Sequence, residues 1–317
     1  IKVYHSKIFP NGVLNFLLNR KAFRNAKRIN TDKTILFSFP YGIQGVLIGF
    51  NNIILFIREN YFENKKFQNN NTIPLLRYLL SKCLILLERY TIKKVEKLIV
   101  QCNYNKNEIL SRHQKLQNII NRKIHILHNN VNSSWINKDE NFIIHTPTQN
   151  KLNQHFIFLG NLNDKLKGAH ILLDAVRWLL SEGYQVKLEL IGDGKLKKTY
   201  EKKFRKVKEI RFWGYRENPI KYLSQGDLLI VPSLTDSFPN TVMEGLYLKM
   251  PVIGSNRGGI PEILKYQELL FEPDSHILYL KLKEILDNDL FHVYRNFFFF
   301  FRKAFYFNWG KELNRIL

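Results

Sequence analysis

"DLLIVPSLTDSFPNTVMEGLYLKMPVIGS", residues 227–255, sets two short apolar runs, 227–233 and 251–255, on either side of a segment with helical character. Pro239 suits the first turn of a helix, because its missing N–H is one that no intrahelical carbonyl receives. Strand, helix, strand is the unit from which parallel sheets are built. Working outward, further runs lie upstream at "HFIFLG" (155–160), "VKLELIG" (186–192) and "EIRFWG" (209–214), and downstream at "ELLFE" (268–272), each before a helical pattern. Near-continuous apolar strands between helices predict a parallel sheet covered on both faces, a doubly wound α/β domain.

The first half reads the same way, with runs at 33–39, 51–58, 97–102 and 123–128 and a long apolar helix over about 74–95, opened by Pro74. A polar stretch, 137–154, separates the halves. The expected domains are therefore 1–147 and 148–295, each Rossmann-like. A helical segment, 296–317, is expected to pack back toward the first domain. Its five consecutive Phe cover every helix face, which suits either burial or contact with lipid.

The chain has 317 residues and a formal charge of +22. Residues 1–150 hold 23 Lys+Arg against 8 Asp+Glu, so most of the excess sits in the first half. Such a balance suits an anionic membrane surface or polyanionic substrate, or else a merely solvated basic face. No RNA-binding or zinc-finger signature accompanies it, so no nucleic-acid partner is expected. Cys83 and Cys102 form no disulfide or zinc spacing, which fits a reducing, cytoplasmic setting. No run of about 18 apolar residues would span a membrane, and the first residues show no export signal. His125 and His128, three apart in a strand, face opposite sides and make a poor metal pair, so no metal is expected.

In open parallel sheets ligands bind beyond the carboxyl ends of the strands. After 155–160 come Gly160, Asn161, Lys165, Lys167 and Gly168, just ahead of a helix with apolar residues at 171, 172, 175, 176 and 179. A lysine beside free helix amides suits an anion, although a loop lysine is more often simply solvated. After 186–192 come Gly192, Asp193 and Gly194, which permit a tight turn, with Asp193 either accepting from a ligand hydroxyl or capping. Beyond 227–233, the amides of Asn240, Thr241 and Val242 add an anion site at a helix N-terminus. Asp236 and Glu244 flank it, suited to neutral hydroxyls. Their plainer readings are a cap and a surface helix residue.

"VPSLTDSFPNTVMEGLYLKMPVIGSNRGGIPEIL" (231–264) resembles the signature of glycosyltransferase family 4, the retaining nucleotide-sugar transferases of GT-B fold. "GNLNDKLKG" and "LIGDGKLK" stand upstream in the family's order, and "IHILHNNVNSSWI" resembles its Asn-rich exit from the first domain. The resemblance implies that the sheets of the two domains face across a cleft, and that Lys167 meets the donor diphosphate, Glu244 the ribose and Asp236 the transferred sugar. It implies that Ser237, Phe238, Pro239, Asn240, Thr241 and Val242 bind phosphate or sugar. Gly160, Asn161, Gly192, Asp193, Gly194, Trp213, Gly214, Tyr215 and Arg216 would line the rest of the donor site. Three departures stand out: Asn161 where relatives often have arginine, Asp236 where they usually have glutamate, and no glycine-rich loop after a first strand. The last suggests a fragment lacking its extreme N-terminus.

Tyr41, Gly42, Arg58, Glu59 and Asn60 follow runs of the first half and are expected on the acceptor side. The expected activity is retaining hexosyl transfer from a nucleoside diphosphate sugar, UDP-sugar first, without metal or cofactor. The acceptor is a glycan or lipid-linked glycan of cell-surface polysaccharide or lipopolysaccharide synthesis. A catalytically silent sugar-nucleotide or glycan-binding partner is the alternative. A dinucleotide oxidoreductase lacks its G-x-G-x-x-G turn. For the leucine-rich helix (Leu75, Leu76, Leu79, Leu80, Leu84, Leu87), core packing is the simpler account. Docking on the inner face of the cytoplasmic membrane is the other.

Overall fold

The computed structural model describes residues 33–58, 74–130, 154–296 and 308–317. These divide into two units, one running to Leu127 and the other from His128. The sequence boundary at 147/148 lies outside the described residues, as do Glu59, Asn60, the start of the chain and the five phenylalanines of 297–301. The side chains of Leu75, Leu76, Leu79 and Leu80 lie outside them too. Residues 308–317 count with the second unit.

The first unit comprises β1 (Thr34–Phe37), α1 (Phe39–Ile48), β2 (Ile53–Ile57), α2 (Pro74–Lys94), β3 (Lys97–Val100), α3 (Asn103–Arg112), α4 (Gln117–Lys123) and β4 (Ile124–Ile126). Its strands are all parallel, in the order β1-β2-β3-β4. Every residue of β2 is buried, as expected of an inner strand covered on both faces. Phe39, Ile43, Leu55, Ile92, Leu98, Ile109 and Ile120 meet in the core.

The second unit follows with β5 (Gln154–Leu159), α5 (Ala169–Ser181), β6 (Val186–Ile191), α6 (Lys197–Phe204), β7 (Ile210–Gly214), α7 (Ile220–Leu223) and β8 (Leu228–Val231). It continues through α8 (Asn240–Tyr247), β9 (Val252–Ser255), α9 (Ile260–Leu264), β10 (Leu270–Phe271), α10 (Ser275–Asp287), α11 (Phe291–Asn296) and α12 (Trp309–Ile316). The parallel order is β10-β9-β8-β5-β6-β7. The chain starts at β5, winds out to β7, then returns to β8 and winds the other way. The order therefore reverses between β5 and β8, and loops leaving their carboxyl ends diverge to opposite faces and open a crevice. Buried Asp227 fixes this pair at its other end, where His155 N donates to Asp227 Oδ2 at 2.8 Å and Asp227 N to His155 O at 2.7 Å.

Two local readings change. The run 33–39 ends as a strand at Phe37, and "FPYGIQG" (39–45) opens α1, because Ser38 turns at φ 74° and Pro40 sits in the opening turn. Pro239 is the N-cap of α8, with extended backbone at ψ 124°, so the helix begins at Asn240 rather than at the proline.

Candidate functional site

Lys167 and the opening of α8 reach the same place, because the loops after β5 and β8 are stitched together. Leu234 N donates to Leu166 O at 2.8 Å. Gly168, the N-cap of α5, has φ 72°, and a Cβ there would lie 1.8 Å from Pro232 O, so only glycine lets the two loops close. Lys167 Nζ then meets Asp236 Oδ2 at 2.5 Å across 69 positions of sequence. The pair is partly buried. Asp236 is held in turn from the loop after β9, where Gly259 N donates to Asp236 O at 2.9 Å.

The amides at the start of α8 have no side-chain cap. Thr241 Oγ1 donates to Leu159 O at the end of β5 at 3.3 Å, which fixes the face that α8 turns to the crevice. Glu244, three positions on, shares that face. The residue is 9% exposed, and its carboxylate has no hydrogen bond or ion pair among the described residues; burial pushes its pKa up to about 7. The surface-residue reading of Glu244 is therefore replaced by a buried, unpaired acid.

Loops after β6 and β7 complete the rim. Gly192 lies against Gly160, with a Cβ there only 1.8 Å from Gly160 O, and Gly192 N donates to Gly214 O at 2.9 Å. Asp193 Oδ1 accepts from Gly194 N at 2.7 Å, so the carboxylate stabilises its own turn. Asn161 Oδ1 accepts from Asn163 N at 3.4 Å. Trp213 has the Arg211 guanidinium 3.9 Å from its ring centroid and Tyr222 against its edge at 5.1 Å. Arg216 lies beyond, 5.4 Å from the same ring, while Tyr215 is exposed. Ser237, Phe238 and Val242 are buried.

On the first unit, Gly42 is a packing residue, since a Cβ would sit 2.8 Å from Leu55 Cδ1. Tyr41 is half-buried on α1, and Arg58 is exposed after β2. Two residues were missed in the sequence. His128 stacks on Phe238 with ring centroids 4.6 Å apart, and Asn129 Nδ2 donates to Phe238 O at 2.8 Å. The Asn-rich stretch was the available signal, but nothing in it named Phe238 as the partner.

Residues 153–288 match the family model described as Glycosyl transferases group 1. With two parallel α/β units, the fold is of the GT-B class. The chain is 29% identical over 217 residues to the uncharacterized glycosyltransferase MJ1059 of Methanocaldococcus jannaschii, covering 67% of this chain and 50% of that one. It is 28% identical over 119 residues to the amylovoran biosynthesis glycosyltransferase AmsK of Erwinia amylovora, 34% of this chain and 29% of that one. The chain thus spans half or less of these relatives. Among solved structures, Anabaena Alr3699/HepE in complex with UDP-glucose superposes with TM-score 0.67 at 14% identity, covering 97% of this chain and 82% of that one.

Proposed function

We propose that the chain transfers a hexosyl group from a nucleoside diphosphate sugar, UDP-sugar first, to a glycan or lipid-linked glycan, with retention, as a family 4 enzyme. The observation that carries this reading is the convergence of Lys167, Asp236 and the uncapped α8 amides at the crevice between β5 and β8. As the bond from the anomeric carbon to the diphosphate breaks, negative charge grows on the departing oxygen. Lys167 and the α8 amides stabilise it, and a site fixed in advance does so without reorganising. This needs no metal. Asp236 orients the Lys167 ammonium and faces the sugar; Glu244 accepts from the ribose hydroxyls; Tyr215 offers a face to the base.

The UDP-glucose complex of the Anabaena neighbour supports the donor class, and the amylovoran relative supports a role in polysaccharide synthesis. We place the reaction on the cytoplasmic side of the membrane, where such acceptors would be presented.

The test is a panel of nucleotide sugars scored by melting temperature and by product formation. At least one donor should raise the melting temperature, and Lys167→Ala should lower kcat by roughly 10²–10³-fold with the fold intact. If no donor shifts the melting temperature, the assignment fails; an inverted anomeric product would remove retention alone.

A further inference from the structure

Helix α2 leaves an apolar stripe exposed over its last three turns. Its buried face carries Glu88 and Thr91 beside Ile92, whereas Leu86 (62% exposed), Leu87 (37%) and Tyr90 (44%) face outward. With exposed Cys83 and Lys94, these fall at i, i+3, i+4, i+7 and i+11, a single stripe along the helix. The orientation is anchored from inside. Arg112 Nε and Nη2 each lie 3.1 Å from a Glu88 carboxylate oxygen, and His113 Nε2 lies 2.8 Å from Oε2. Lys123 Nζ donates to the carbonyls of Ile92, Lys93 and Val95 at 3.2, 3.0 and 2.6 Å, holding the helix end. Rolling the apolar stripe inward would break the Glu88 contacts.

We propose that this stripe is a docking surface for an anionic lipid bilayer. Exposed Lys82, Lys93 and Lys94 border it, and Lys94 Nζ stands 5.9 Å over the Tyr90 ring. The net charge of +15 on residues 1–150 opposes self-association through the same face and favours an anionic surface. Leu86, Leu87 and Tyr90 enter the headgroup boundary while the lysines meet lipid phosphates. No described helix is long and apolar enough to cross a membrane, so the contact is a surface one. The inference goes beyond the transfer reaction and does not depend on it.

Flotation with vesicles of phosphatidylcholine alone, or mixed with phosphatidylglycerol, tests it. The wild type should float only with the mixed vesicles. A triple substitution, Leu86→Gln, Leu87→Gln and Tyr90→Gln, should weaken binding at least about tenfold, and Lys93→Gln and Lys94→Gln roughly fivefold each. A far-UV circular dichroism spectrum and a chemical-denaturation midpoint matching the wild type would show that the variants are folded; if the triple variant is not, the lysine variants decide. Failure of the wild type to float, flotation unaffected by the substitutions, or a concentration-dependent dimer abolished by them would each overturn the proposal. None of these outcomes bears on donor binding.

Discussion

Glu88 in the first unit and Glu244 in the second are both buried carboxylates on helices, 2% and 9% exposed. Their surroundings differ completely. Burial pushes the Glu88 carboxyl up, but the hydrogen bond with His113 and the Arg112 guanidinium outweigh it and leave the pKa lowered. Glu244 has burial alone, and its pKa rises to about 7. A buried acid paired with a guanidinium and an imidazole contributes to structure; one left without a partner beside a crevice costs stability, as the proposed role of accepting from ligand hydroxyls would require.

The strongest break in this contrast is Glu88→Ala. It leaves Arg112 without its main counter-charge, and loss of one member of a buried ion pair costs about 3–5 kcal/mol. Chemical denaturation should show that loss in the first unit, with the donor-induced shift of the second unit retained at temperatures where both are folded. A loss within ~0.5 kcal/mol would mean that the clamp is solvated.

Glu244→Gln should act with the opposite sign. Because the folded pKa is raised from 4.5 to about 7, the native state binds the extra proton, and stability falls as pH rises through that window. Above it the whole penalty is present, about 3 kcal/mol at ~1.4 kcal/mol per unit. Glutamine removes the charge, so the variant should be more stable than wild type at pH 8 and should lose the difference toward pH 4. Donor affinity should fall in the same variant, since an amide accepts less well than a carboxylate. A variant less stable at every pH would show that the carboxylate has a partner.

Much of the frame was legible because strands and glycine turns are local signals. "HFIFLG" and "VKLELIG" became β5 and β6 within a residue or so, and the loops after them hold the candidate site. "ELLFE" yielded only Leu270–Phe271, because Gln267–Leu269 close a 3₁₀ turn first. What stayed hidden depends on distant contacts. The Lys167–Asp236 pair, the isolation of Glu244 and the outward roll of α2 are set by neighbours far along the chain, and Leu87 looked like core because periodicity identifies a face without saying which way it points.

The smallest effect concerns how the second unit holds its own site. Phe238 precedes the N-cap of α8, so the Asn129 hydrogen bond and the His128 stack fix the backbone from which the helix amides project. Asn129→Ala removes the hydrogen bond to Phe238 O, worth about 1 kcal/mol, and donor affinity should weaken roughly fivefold while the pH dependence set by Glu244 stays in place. His128→Phe keeps a ring against Phe238 and should be nearly silent, whereas His128→Ala should resemble Asn129→Ala. Titration calorimetry with the best donor separates the outcomes. Equal affinity in all three variants would show that α8 is positioned by the Leu234–Leu166 and Gly259–Asp236 contacts alone, and that the residues after β4 only follow it.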